Sequence, residues 1–151
     1  MSSTARKAAV PDAWLGLLRV FHQVAARIDE SMIKRHDLCL TWFEVMVELE
    51  SAASPIRVSD LAARVTISQP RVSRVVRLMA DRGLVTRTSA PDDARGTEVG
   101  LTPAGEVACK QARTTYEEIL DEAFRGGLST AEVGVLRGIV AKFSAADAAQ
   151  H

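Results

Sequence analysis

The sequence has no long apolar run and only two cysteines and three histidines, and each shortage excludes a class of protein. Its apolar stretches fall short of the roughly 18 residues that a membrane-spanning helix requires. The first residues, MSSTARKAAVPDAW, lack the apolar core of a secretion signal. We therefore expect a cytoplasmic protein with no membrane partner.

Metal and catalytic motifs are also missing from the sequence. Cys39 and Cys109 occur in no CxxC or histidine-rich context, so neither a zinc site nor a disulfide framework is predicted. His22, His36 and His151 form no spaced metal-ligand set. The sequence contains no GxSxG nucleophile motif, no P-loop and no glycine-rich dinucleotide turn. The sequence thus predicts no enzyme, no catalytic residue, no metal and no cofactor.

Charge is balanced overall but unevenly distributed. The 19 basic and 19 acidic side chains cancel, and 151 residues are enough for one well-buried domain. Between Arg57 and Arg87, seven arginines against two aspartates leave a net charge of +5. A basic block inside a neutral chain is typical of a nucleic-acid-binding surface. The alternative is a solvated face in an arginine-rich protein.

Apolar residues recur at three- and four-residue spacing over most of the chain, which predicts helices. The predicted helices cover residues 12–35, 41–51, 59–65 and 69–82. Ser59 and Ser68 are the expected N-caps of the third and fourth helices, Pro70 is tolerated in a first turn, and Gly83 ends the fourth. Two short helices joined by a tight turn predict a helix-turn-helix.

The fourth predicted helix has two distinct faces. The inner face consists of apolar residues at positions i, i+3, i+4 and i+7, namely Val72, Val75, Val76 and Met79. The outer face carries Pro70, Ser73, Arg74 and Arg77, with Arg71 beside them. Guanidinium groups and small hydroxyls are suited to base edges and phosphates, so this helix is predicted to enter the major groove. An ordinary surface helix is the alternative.

Two alternating runs follow this helix, at residues 84–89 and 97–101, with the polar tip APDDARG between them. A hairpin that follows a helix-turn-helix directly is a wing. Arg95 at its tip is placed to enter the minor groove, and Asp93 can brace its guanidinium across the turn. A solvated turn, in which Arg95 only offsets the neighbouring aspartates, is the alternative.

Three stretches of this sequence, ISQPRVSRVVRLMADRGLVTR, PDDARG and LTPAG, resemble the MarR family of winged-helix transcriptional regulators. The resemblance covers residues 12–146, and the wing DxRG followed by LTxxG is its most specific part. It implies that residues 68–77 lie in or beside the major groove and that Arg95 reaches the minor groove. The implied DNA-binding residues are Ser68, Gln69, Pro70, Arg71, Ser73, Arg74, Arg77, Asp93 and Arg95.

The outer helices predict a second copy of the chain as partner. Thr102 and Pro103 begin one helix, and a capping box from Ser129 to Glu132 begins the last. The last helix carries an apolar stripe with coiled-coil spacing, Val133, Leu136, Val140 and Phe143. Together with the first helix, it offers more apolar surface than a small winged domain can cover. A homodimer on a palindromic, inverted-repeat operator in double-stranded DNA is expected.

The fold is therefore predicted to be mostly α with a small β-hairpin wing. A flexible N-terminal tail, 1–11, precedes a helical dimerisation region formed by the N- and C-terminal helices, 12–52 and 102–148. A winged helix-turn-helix domain, 53–101, lies between them. The function expected is that of a repressor, associated with the nucleoid when it is bound to DNA.

Resemblance to the family also implies a ligand cleft where the dimer helices meet the winged domain. Trp14, Arg19, His22 and Trp42 are the candidate lining residues, because aromatic walls with a cation suit a small aromatic acid or phenol. Core packing for Trp14 and solvation for His22 are the alternatives. A thiol-based redox sensor using Cys39 or Cys109 is the alternative function.

Overall fold

The structure, a computed structural model, describes residues 3–52, 54–65, 67–90, 93–125 and 127–148. Within these ranges it gives no side-chain description for residues 3–8, 90, 93–95, 144 and 146–148. The described residues form helices and a small sheet in the order α1 Ser3–His36, α2 Leu40–Ala52, β1 Ile56–Arg57, α3 Val58–Arg64, α4 Gln69–Asp81, β2 Val85–Ala90, β3 Asp93–Leu101, α5 Pro103–Arg125 and α6 Thr130–Ala148. No helix in these ranges is both long and apolar enough to cross a membrane.

Helix α1 is longer than the sequence pattern predicts. It begins at Ser3, inside the segment expected to be a flexible tail, and continues through Pro11. Proline costs a helix interior one backbone hydrogen bond, which favoured a start near Asp12. The residues before Pro11 are mostly alanine, arginine and lysine, which are strong helix formers and extend the helix backwards.

The C-terminal half of α1 belongs to the core, where Ile28 and Met32 are buried. This half packs along α5, and polar contacts line the seam. Arg35 donates a hydrogen bond to Glu118 over 2.7 Å, and the His36 ring lies 2.8 Å from the Thr115 hydroxyl. The N-terminal half of α1 is mostly exposed, so the apolar stripe of this helix is only half covered within one chain.

The winged part of the molecule is built on α4 and a three-stranded sheet of order β1-β3-β2. All four residues predicted for the inner face of α4 are buried, which confirms the assignment of its faces. Strands β2 and β3 pair antiparallel as predicted, with Arg87 opposite Val99. The sequence pattern missed β1, a two-residue strand whose Ile56 also lies opposite Val99.

The predicted helix ends have mixed outcomes. Ser59 is not the N-cap of α3, because the helix starts at Val58 directly after β1 and Arg57 holds the cap position. Ser68 is the N-cap of α4 in position, with extended backbone, but its side chain makes no capping hydrogen bond. Gly83, with a φ of +70°, ends α4 as predicted.

The LTPAG segment joins the wing to α5 through one threonine and one glycine. The Thr102 hydroxyl accepts a hydrogen bond from the Gly105 N–H over 3.0 Å and donates one to the Gly83 carbonyl over 2.6 Å. A Cβ at position 105 would lie 2.0 Å from the Leu84 carbonyl oxygen, so only glycine fits there. These contacts give the threonine and the glycine of the LTxxG segment a physical reason.

Helix α6 begins at the predicted capping box. The Ser129 N–H donates to the Glu132 carboxylate over 2.7 Å, and hydrogen bonds from Ser129 lower the pKa of that carboxyl. No described residue of α6 is buried, and the exposed fraction of Phe143 is 72%. The described part of α6 has few contacts with the rest of the chain.

Candidate nucleic-acid interface

The outer face of α4 forms a continuous exposed surface. All seven residues that the sequence assigns to this face or its N-cap are exposed, namely Ser68, Gln69, Pro70, Arg71, Ser73, Arg74 and Arg77. The opposite face is anchored, because Val72 and Met79 are fully buried. A helix that is packed against the core on one side and polar on the other holds its exposed side chains in a fixed orientation toward a groove.

A polar cleft lies between α4 and the sheet, with a volume of about 190 Å³. Gln69 and Ser73 line it from α4, and Arg87 and Thr97 line it from the wing strands. Arg57 contributes from β1. Two guanidinium groups beside hydroxyl and amide groups form a site suited to a backbone phosphate.

The sequence reasoning counted Arg57 and Arg87 only as part of the basic block. The sequence did contain a clue to the position of Arg87. Alternation along the wing strand puts Arg87 on the same face of the sheet as Val99, which lies opposite it on β3. Nothing local revealed Arg57, since its position follows from the pairing of β1 with β3.

The wing extends from the far side of this cleft. Strands β2 and β3 remain paired from Val85 opposite Leu101 to Ser89 opposite Thr97, and their register shifts at Ala90. Asp93 and Arg95 fall at the start of β3, but their side chains lie outside the described residues. The predicted brace between them stays a prediction.

The four residues proposed for a ligand pocket do not meet within one chain. Trp14, Arg19 and His22 are exposed on α1 before its buried C-terminal part, and the exposed fraction of Trp14 is 56%. Trp42 instead lies beside Ile33 near the C-terminal end of α1. At 1.5 Å per residue, Trp14 is about 28 Å from Ile33 along the helix.

The two cysteines have different surroundings. Cys109 is fully buried, whereas Cys39 is half-buried. Burial, and then the negative charge of Glu50, raise the pKa of the Cys109 thiol, and Arg113 opposes them. Among the described residues, no group of three or more histidine, cysteine or acidic side chains is placed to hold a metal ion.

Helix α4 has one buried apolar face and one exposed face that carries arginines, and a β-hairpin follows it. This arrangement is that of a winged helix-turn-helix DNA-binding protein. The MarR family model matches residues 36–96, from the end of α1 to the wing. A helix-turn-helix transcriptional regulator from Bacillus cereus is 26% identical over 129 residues, which are 85% of this chain and 84% of the relative.

Solved structures show the same architecture. Sco3205 of Streptomyces coelicolor, a MarR family transcriptional regulator in complex with DNA, matches with a TM-score of 0.81 and 20% identity over 91% of this chain and 86% of its own. BpsR of Bordetella bronchiseptica, whose DNA binding is regulated by 6-hydroxynicotinic acid, matches with a TM-score of 0.78 and 26% identity, covering 88% and 98%. In sequence and in fold, the chain is similar to MarR-family DNA-binding transcriptional regulators.

Proposed function

We propose that this protein binds an inverted-repeat operator in double-stranded DNA as a homodimer and represses transcription from it. The observation that carries the proposal is the division of α4 into a fully anchored apolar face and an exposed face with three arginines. Forked guanidiniums on an exposed helix recognise guanine edges and phosphates.

Within this proposal, α4 lies in the major groove. Arg71 and Arg74 lie in the N-terminal half of α4, where recognition helices reach base edges. The remaining major-groove contacts are assigned to Ser68, Gln69, Pro70, Ser73 and Arg77. Arg95 at the wing tip enters the minor groove, and Asp93 orients it. Arg57 and Arg87 in the cleft bind the backbone phosphate between the two grooves.

The exposed apolar surfaces support the homodimer. Exposed apolar side chains occur along α1 from Val10 to Phe21, and the exposed fraction of Phe21 is 63%. Val140 and Phe143 are exposed on α6, which has few contacts with its own chain. Monomeric proteins rarely expose such continuous apolar surface, and two copies can bury it by a symmetric interface.

A small aromatic acid or phenol is proposed as the effector that weakens DNA binding. A cleft of about 320 Å³ between α2, α3 and α5 supports it, with Phe43 and Tyr116 as aromatic walls. Its charged lining consists of Arg64, Arg113, Glu44, Glu48 and Glu117, and Arg113 also pairs with Glu50. Burial raises the pKa of the Glu44 carboxyl in this cleft. A pocket that includes Trp14, Arg19, His22 and Trp42 would need two chains.

The redox alternative receives less support. A sensor cysteine reacts as an accessible thiolate, but Cys109 is buried and its pKa is raised. Cys39 is half-buried and lies beside Trp42 and Arg82. The redox alternative therefore rests on Cys39 alone.

Footprinting on the DNA that flanks the gene tests the proposed function. We expect the protein to protect two inverted half-sites whose centres lie about 34 Å, one helical turn, apart. The variant with both Arg71 and Arg74 changed to alanine should leave the same DNA unprotected. Protection of a single unrepeated half-site would contradict the homodimer, and equal protection of all sequences would contradict operator recognition.

A further inference from the structure

Arg82 joins the end of the recognition helix to the end of α1. It is the C-cap residue of α4, directly after Asp81. Its guanidinium donates to the backbone carbonyl of Asp37 over 2.6 Å and forms an ion pair with the Asp37 carboxylate at 2.8 Å. The Arg82 side chain therefore binds both the carbonyl and the carboxylate of one residue between α1 and α2.

Asp37 forms the corner between α1 and α2. Its φ is +53°, in the left-handed region, and its N–H donates to the Ile33 carbonyl over 3.0 Å, which ends α1. Aspartate adopts this conformation less readily than glycine. The two bonds from Arg82 stabilise it in this orientation.

Trp42, near the start of α2, completes the contact. The guanidinium carbon of Arg82 lies 5.2 Å from the centre of the Trp42 ring, within the range of a cation–π interaction. Arg82 thus contacts both helices of the corner at once, through its charge and through the flat face of its guanidinium.

In this structure, the Arg82 guanidinium is directed at protein acceptors and not at the outer face of α4. Arg82 is about 12 Å further along the α4 axis than Arg74, and its donors are directed at protein acceptors. Among the described residues, α4 packs mainly against α3 and β2, which belong to the same winged unit. The Arg82 contact instead ties α4 to α1, the helix whose other half carries the exposed dimer surface.

We propose that Arg82 is a positioning residue for operator recognition. By clamping the end of α4 to the corner at Asp37, it fixes the orientation of the recognition helix relative to the dimer helices. That orientation sets the half-site spacing that a homodimer accepts. The inference rests on the proposed homodimer and inverted-repeat operator.

The test compares the wild-type protein with Arg82→Ala, Arg82→Lys and Asp37→Gly. Lysine keeps the charge but cannot hold both acceptors in a fork, and glycine keeps the left-handed corner and its carbonyl while removing the carboxylate. The probe is a duplex that the wild-type protein selects from a random library, with versions one base pair longer and shorter between the half-sites. One base pair changes their separation by about 3.4 Å.

We expect Arg82→Ala to lose affinity for the selected duplex about three- to thirtyfold. Its discrimination between the three spacings should narrow, while its affinity for random DNA and its salt dependence stay as in the wild type. Arg82→Lys and Asp37→Gly should show smaller losses of the same kind. The double variant Arg82→Ala with Asp37→Gly should lose less than the two single losses combined, since both act through one contact.

Stability does not confound this experiment. The side chains of Arg82 and Asp37 are 40% and 85% exposed, and exposed ion pairs contribute little to stability. Thermal unfolding of each variant verifies this, and if Arg82→Ala fails to fold, Arg82→Lys and Asp37→Gly decide the question. Arg125→Ala, which removes the same charge and an exposed ion pair with Asp121, is the matched control and should keep the spacing preference.

Two results would overturn the proposal. An equal loss on the selected duplex and on random DNA, with a salt dependence lower by about one phosphate, would make Arg82 a phosphate contact. Unchanged affinity and unchanged spacing preference would make the contact irrelevant to recognition. If the wild-type protein itself shows no spacing preference, the homodimer on an inverted repeat fails first.

Discussion

Arginine side chains in this chain divide into different roles by position. Arg27 and Arg35 pair with glutamates of α5 along the seam with α1. Arg74 and Arg77 are exposed on the outer face of α4. Arg82, only five residues further, forms an ion pair with Asp37 of the same chain. The role of each follows from the helix face on which it lies, which residue composition alone does not reveal.

Arg74 should contribute to base recognition. Replacing it with alanine is expected to cost about 1 to 3 kcal/mol of binding free energy on the operator and to relax the base preference. Its side chain is exposed, so folding should be unaffected. Binding titrations on operator and random duplexes measure both effects, with Arg137→Ala on exposed α6 as control. Equal losses on the two duplexes would instead identify Arg74 as a phosphate contact.

Cys109 should be an unreactive thiol at neutral pH. Its pKa is raised chiefly by burial, so the thiolate appears only at more alkaline pH than for an ordinary cysteine. Folding favours the neutral form of the Cys109 thiol. The contribution of this thiol to the free energy of unfolding is therefore present at neutral pH and is lost as the pH rises through the raised pKa.

Labelling a Cys39→Ser variant tests the reactivity of Cys109. Modification should be slow in the folded protein at pH 7, and much faster once the chain is unfolded in urea. A Cys109→Ser variant reports on Cys39 by the same measurement. Rapid labelling of folded Cys109 at pH 7 would revive the redox alternative.

Among the helices and strands, those set by local pattern were predictable. The bounds of α2 differ by one residue at each end from the predicted 41–51. Helix α4 was predicted with its correct faces, because its apolar period and its terminal glycine lie within a single segment. The caps at Thr102 and Ser129 were predictable for the same reason, since each hydrogen bond joins residues three apart.

Features that depend on distant residues were not predictable. Strand β1 has only two residues and exists because β3 pairs with it, and this pairing also displaces the N-cap of α3 from Ser59 to Arg57. The cleft between α4 and the sheet and the contact between Arg82 and Asp37 join segments far apart in the chain. The outer face of α4 could be predicted from the sequence, whereas the residues that surround it could be identified only from the tertiary structure.

Helix α6 should be required for assembly. Deleting the residues after Gly127 removes Val140 and Phe143, two exposed apolar residues of the proposed interface. We expect a monomeric or poorly soluble chain without operator binding. Sedimentation and DNA titration measure the outcome. Lys142→Ala, an exposed polar change on the same helix, should leave the dimer intact, and a truncated chain that still dimerises would place the interface elsewhere.

At the scale of the whole molecule, an effector must favour one arrangement of the two DNA-binding units. A ligand that prefers the arrangement with misplaced recognition helices needs only about 1 to 3 kcal/mol of coupling to lower operator occupancy severalfold. Residues of α2, α3 and α5 line this cleft, so a ligand there would contact both the winged part and the proposed dimerisation region.

Calorimetry with a panel of benzoates and phenols, with and without operator DNA, tests the proposed effector. At least one compound should bind, and operator DNA should weaken its binding by the same factor by which the compound weakens DNA binding. Tyr116→Ala should reduce binding if the α2–α5 cleft is the site, whereas Trp14→Ala should do so if the two-chain pocket is. Binding that leaves DNA affinity unchanged would remove the effector from the proposal.

Because α1 is long, a small tilt of this helix displaces its C-terminal end by several ångströms. From Trp14 to His36 the helix runs about 33 Å as one rod, with its exposed half at one end and the Asp37 corner at the other. If the exposed half is held by a second chain, a tilt of roughly 5° displaces the corner by about 3 Å, close to the 3.4 Å rise of one base pair. A small angular change would therefore shift one DNA-binding unit by close to the rise of one base pair.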